Sequence, residues 1–115
     1  MARGFVYLKK FTEKWDALGL TDNDLILLEM FLEENPQAGK VVQGTGGIRK
    51  LRWAFPDTGK SGGIRVAYLD VVVLERIYML DLFPKSEKDN YTDSDKKILK
   101  KLVTNLKSEI KKGGE

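Results

Sequence analysis

Strand alternation in RKLRWAF, residues 49 to 55, sends the side chains of Lys50 and Arg52 from one face. A second stretch, GGIRVAY at residues 62 to 68, repeats the pattern with Arg65, and a hairpin can set Arg65 across from the first pair. Like charges held that close repel. Their adjacency makes sense when an anion fills the space between them, and Lys85 and Lys88, just past the next strand, can close the same pocket. A phosphate group suits such a set of guanidinium and ammonium donors. The competing reading is that these side chains splay into solvent, and charge alone leaves both open.

Other chemistries are narrowed by what the chain lacks. It has no Cys and no His, which removes disulfides, thiol nucleophiles, thiolate metal sites and imidazole acids, bases or ligands. Any reaction must use Lys, Arg, Tyr, Ser, Thr or carboxylates. Residues 1–39 hold four basic and seven acidic residues, whereas residues 40–68 hold six basic residues and one acid, Asp57. The net charge of +3 thus hides a local cation cluster that suggests a phosphate-bearing partner. GKS at 59–61 is not a triphosphate loop, since the glycine that motif needs five residues before Gly59 is Ala54 and the segment after it reads as a strand. Asp70, Glu75 and Asp81 match no metal-ligand spacing and read as surface charge or a local ion pair.

The elements that must position the cations follow from periodicity. Residues 5–9 read as a short strand and about 11–18 as a helix. Thr21 with Asp24 caps a second helix carrying Leu25, Leu28, Phe31 and Leu32 at helical spacing, and Asn35–Pro36 ends it. From Lys40 the period becomes two, giving strands around Leu51–Phe55 and Ile64–Leu69, a PDTGKSGG loop between them and a third strand over 76–83. Trp53 and Tyr68, opposite the cations, read as core. Thr92 and Asp95 cap a last helix with an expected apolar stripe of Ile98, Leu99, Leu102, Leu106 and Ile110, and KKGGE is expected to fray. The sum is an α+β domain with an antiparallel sheet, an N-terminal helical hairpin and a C-terminal helix.

At 115 residues and 42% hydrophobic, residues 1–115 make one domain with one core. No apolar run approaches the ~20 residues of a spanning helix, and MARGFVYLKK lacks the layout of a secretory signal, so no membrane partner and a cytoplasmic location are expected.

NPQAGKVVQGTGGIRKLRWA, GKSGGIRVAYL and IYMLDLFPKSEKDNYT, within Asn35 to Thr92, resemble the RelE/ParE superfamily of bacterial toxins, most closely its HigB-like branch of type II toxin–antitoxin systems. The resemblance implies a RelE-like fold of the microbial-ribonuclease type. It also implies an mRNA interferase, an endoribonuclease that cuts A-site codons on the ribosome and inhibits translation, neutralised by a HigA-like helix-turn-helix antitoxin. Carried over by position, the family's catalytic cations fall on Lys50, Arg52, Arg65 and Lys85. Tyr91 stands as a phenolic acid where this branch often has an aliphatic residue, and Phe83–Pro84 replaces the usual aromatic–alanine pair. Lys60, Lys88, Lys97, Lys100 and Lys101 are the expected contacts to mRNA and ribosomal RNA.

The implied reaction uses the 2′-hydroxyl of RNA as nucleophile, so no cofactor or metal is called for. Lys50 is the candidate base, its pKa expected to fall toward neutrality beside Arg52 and Arg65, which stabilise the phosphate, while Lys85 or Tyr91 donates the last proton. Two alternatives remain at this stage. ParE-like members bind and inhibit DNA gyrase without cutting RNA, and a toxin-fold remnant could bind a partner protein alone.

Overall fold

The computed structural model describes residues 3–54, 63–88 and 90–113. Its elements run β1 (Gly4–Tyr7), α1 (Lys9–Ala17), α2 (Asp22–Glu34), β2 (Lys40–Val41), β3 (Arg49–Trp53), β4 (Ile64–Val71), a 3₁₀ turn (Val72–Leu74), β5 (Arg76–Pro84) and α3 (Asp93–Gly113). This is the expected α+β arrangement, with the helical hairpin on one face of the sheet and α3 on the other. The strands lie in the order β1-β5-β4-β3-β2. Three pairings are antiparallel as expected, but β1 runs parallel to β5, matching Gly4 to Arg76 and Tyr7 to Met79. Periodicity finds a strand without its direction, so this edge was not foreseeable.

α1 begins earlier than its sequence suggests because β1 ends at Tyr7, and Leu8, in extended backbone, donates its N–H to the carbonyl of Met79. Phe11 and Trp15, four apart, bury one face of α1, and the Trp15 indole donates to the carbonyl of Thr21 at the start of α2. Thr21 and Asp24 form the expected capping box, and Leu28 and Leu32 are the fully buried pair of α2. These side chains meet Leu51, Ile64, Val66, Tyr68, Ile77, Met79 and Leu82 in the larger of two cores.

A second, smaller core, beyond the single one expected, lies on the other face of the sheet and joins Ala67, Leu69, Tyr78, Leu80 and Phe83 to Tyr91, Leu99 and Val103. Two strand details correct the sequence reading. β2, only two residues long, carries too little pattern to be recognised. A bulge in β5 pairs Ala67 with Asp81 and Tyr68 with Met79, leaving Leu80 as the extra residue. Leu82 therefore joins Ile77 and Met79, while Asp81 and Phe83 turn to the α3 side.

α3 starts at the expected Thr92–Asp95 capping box, but Ile98 is 67% exposed and Val103 takes the buried place that was assigned to it. The helix continues to Gly113, through most of the segment expected to fray. It is seated on the β2–β3 loop: Lys107 donates to the carbonyl of Gly46, and a Cβ on Gly46, at φ 81, would stand 3.3 Å from Val103. The loop glycines thus serve turns. The PDTGKSGG segment, with Lys60, lies largely outside the described residues.

Candidate functional site

β3 and β4 bring the cations together by register. Arg52 lies directly opposite Arg65, and Lys50 lies opposite Ala67 and, on its other side, opposite Lys40. Directly opposed residues share a face, so Lys40, Lys50, Arg52 and Arg65 all stand on the side that α3 covers only in part. Cβ atoms of such pairs are about 4.5–5.5 Å apart. Phe83 lies across from Arg65 on β5, and Ala67 lies between Lys50 and Asp81 in the neighbouring row.

Two adjoining hollows follow the cations. A cleft of about 490 Å³ is lined by Ala38, Lys40, Lys50, Leu51, Arg52 and Asn90. A shallower one of about 200 Å³ is lined by Arg52, Trp53, Ala54, Gly63, Arg65 and Lys85. Arg52 borders both, so the surface is continuous. Arg52 and Lys85 are exposed, Lys50 is half-buried and Arg65 is only 2% exposed. The backbone N–H of Lys85 donates to the carbonyl of Gly63, which ties the end of β5 to the start of β4. Gly63 has φ 72, and a Cβ there would stand 2.8 Å from the carbonyl oxygen of Trp53. The hairpin can close at this width only with glycine.

Lys88 does not line either hollow. Its ammonium pairs with Asp95 at 3.3 Å and lies 5.5 and 5.2 Å from the ring centres of Phe83 and Tyr91. Lys97, Lys100 and Lys101 are exposed on α3. Tyr91 is buried, set edge-on to Phe83 at 5.3 Å, and its hydroxyl donates to Asp81 Oδ2 at 3.0 Å. Burial first, and the Asp81 charge second, push the phenol well above its ordinary value. Its proton therefore stays on oxygen throughout the neutral range.

Sequence reasoning missed three residues. Asp81, expected as surface charge or a local ion pair, is indeed ion-paired but is only 3% exposed, with Lys14 at 2.8 Å and Lys10 at 3.8 Å. Lys40 was hidden by the shortness of β2. Asn90, whose Oδ1 accepts from Lys50 Nζ at 2.6 Å, precedes a helix cap and carries no periodic signal. Trp53 and Tyr68 are core as expected: Trp53 meets Phe31 at 5.0 Å, and the buried Tyr68 hydroxyl accepts from Gly39 N–H and donates to the Pro36 carbonyl. Among the described residues, no group of three or more carboxylates is placed to hold a metal ion; Asp70 is bound to Arg3 at 2.9 Å.

A sheet flanked by a helical hairpin and a lone basic helix, with cations crossing its central strands, defines a small α+β protein with a cationic face. The family model described as the RelE toxin of the RelE/RelB toxin–antitoxin system matches residues 6–113, and the chain belongs to that family. Among solved structures it is similar to a double arginine-to-alanine mutant of the E. coli toxin RelE in the free state. That match has a TM-score of 0.55 and 15% identity over 76% of this chain and 88% of that one. It is also similar to the intact E. coli RelBE toxin–antitoxin complex, with a TM-score of 0.53 and 16% identity over 70% of this chain and 94% of that chain.

Proposed function

We propose that this toxin is an mRNA endoribonuclease of the HigB-like branch, acting on codons in the ribosomal A site and so halting translation. The observation that carries the reading is the directly opposed Arg52–Arg65 pair with Lys50 on the same face, bordering one continuous hollow. A phosphodiester laid there meets two guanidinium groups able to hold its oxygens through paired hydrogen bonds. Lys50 takes the proton of the 2′-hydroxyl as that oxygen bonds to phosphorus. Arg65 and Arg52 stabilise the charge that grows on the phosphoryl oxygens. The bond from phosphorus to the 5′-oxygen breaks, and Lys85, whose side chain is exposed, gives that oxygen its proton. The products are a 2′,3′-cyclic phosphate and a 5′-hydroxyl.

The ribosome supplies what such a small cation set lacks, namely mRNA already held in a bent, accessible conformation. Free RNA is then a poor substrate. Lys97, Lys100 and Lys101, with Lys60, serve contact with ribosomal RNA, and the location is the cytoplasm, where ribosomes are. The partner that silences the toxin is a small HigA-like antitoxin with a helix-turn-helix; similarity to the RelBE complex supports an antitoxin partner.

End-group analysis tests the chemistry. Fragments made on ribosomes should be labelled at their 5′ ends by kinase without prior phosphatase, and their 3′ ends should resist phosphatase until acid opens the cyclic phosphate. Lys50→Ala should yield no fragments. Fragments bearing 5′-phosphates would refute the mechanism.

A further inference from the structure

Asn90 stands at the rim of the larger cleft with its Oδ1 2.6 Å from Nζ of Lys50. A lysine amine has hydrogens to give and Asn has one side-chain atom able to accept them, so the carbonyl oxygen faces Lys50. Asn90 is exposed and belongs to no helix or strand, yet Lys88, the nearest described residue before it, and Tyr91 after it are tied down. Before it, the N–H of Lys88 donates to the Pro84 carbonyl, and its ammonium is held by Asp95 and the two aromatic rings. After it, Tyr91 donates to Asp81, and Thr92 is locked in the capping box of α3.

Asp81 is a firm anchor for Tyr91. Its Oδ1 accepts from Lys14 of α1 at 2.8 Å and from the backbone N–H of Leu82 at 2.9 Å, while Oδ2 accepts from Tyr91 and has the Lys10 ammonium 3.8 Å away. The bulge at Leu80 is what brings this carboxylate to the Tyr91 side. Lysine has a flexible four-carbon stem, so a reaction that relies on its amine benefits from a fixed acceptor that aims it.

We infer that Asn90 is a positioning residue for Lys50, kept in register by the hydrogen bond between Tyr91 and Asp81. The inference rests on the reading of Lys50 as the group that takes the 2′-hydroxyl proton. It gives Tyr91 an anchoring part, since its hydroxyl proton is directed to Asp81.

Single-turnover cleavage on programmed ribosomes, compared for wild type, Lys50→Ala, Asn90→Ala and Tyr91→Phe, tests it. Asn90→Ala and Tyr91→Phe should each lower the cleavage rate by roughly 10- to 100-fold, as a slight misplacement of a reacting group does. The ribosome concentration giving half the maximal rate should stay unchanged, because neither side chain is a ribosome contact here. The ¹H–¹⁵N signal of the Lys50 amine, visible when its hydrogens exchange slowly, should weaken in both variants without any need for activity. Asn90→Ala cutting at the wild-type rate while Lys50→Ala is dead would overturn the inference and leave the base reading standing. Lys50→Ala cutting normally would overturn both. A slow Asn90→Ala with a wild-type Tyr91→Phe would remove the anchor from the proposal.

Discussion

At the scale of the residue, the two arginines do different structural work although they oppose one another across β3 and β4. Arg52 is exposed and Arg65 is 2% exposed. Arg52→Ala should therefore lower single-turnover cleavage by about 10²–10³-fold, as loss of a charge-stabilising donor does, with an unchanged melting temperature. Arg65→Ala should lose activity and stability together, because it empties a buried site; Arg65→Lys should recover stability better than activity, since an ammonium cannot form the paired contact. Activity assays beside thermal melts separate the two. The shared face of Lys50, Arg52 and Arg65 was legible because strand alternation is strict over five residues. The surroundings of Asp81 and Tyr91 were not, because one extra residue at Leu80 inverts the alternation of RIYMLDLF.

At the scale of the element, both capping boxes were readable from a Thr followed three residues later by Asp. Thr92→Ala should cost about 1 kcal/mol by denaturant melting and loosen the segment that carries Asn90. The Thr92 backbone N–H, followed by Lys88, holds Asp95 below its ordinary value of 3.8. A depressed carboxylate stabilises the fold above its unfolded pKa and stops doing so as pH falls through its lower folded value. The stability gap between wild type and Asp95→Asn should accordingly be full at pH 7 and close below about pH 4, the region of an ordinary Asp. Tyr91 runs the other way. Its raised value makes the folded state the better proton binder above an ordinary tyrosine's 10.0, so stability declines as pH climbs past that point. Tyr91→Phe should flatten that alkaline decline in pH-dependent melts. The direction of β1, the existence of β2 and the side of α3 that is buried depended on tertiary packing. Ile98 shows this, since it fits a helical stripe as well as Val103 does and lies on the wrong side of the contact line.

At the scale of the whole molecule, the uneven charge of the chain becomes a spatial division. The acid-rich first third forms the hairpin on one side of the sheet, while Lys50, Arg52, Arg65 and the lysines of α3 collect on the other. That division was visible in a charge count, but which of the cations converge was settled by strand register, and Lys88 proved to be held by Asp95 and two rings. Changing Lys97, Lys100 and Lys101 to Ala together should weaken ribosome binding and lower the slope of log affinity against log salt by about 2, if each makes one phosphate contact. Cleavage by toxin already bound should keep its rate, which sedimentation binding and single-turnover assays can report side by side. The most direct test of the central claim is primer extension on a reporter mRNA in a reconstituted translation mixture. Wild-type toxin and Arg52→Ala would be compared, with ribosomes present and omitted. Stops within A-site codons that require both ribosomes and Arg52 are the expected result. An intact mRNA under the wild-type toxin, or equal cutting by Arg52→Ala, would contradict it and turn attention to DNA gyrase.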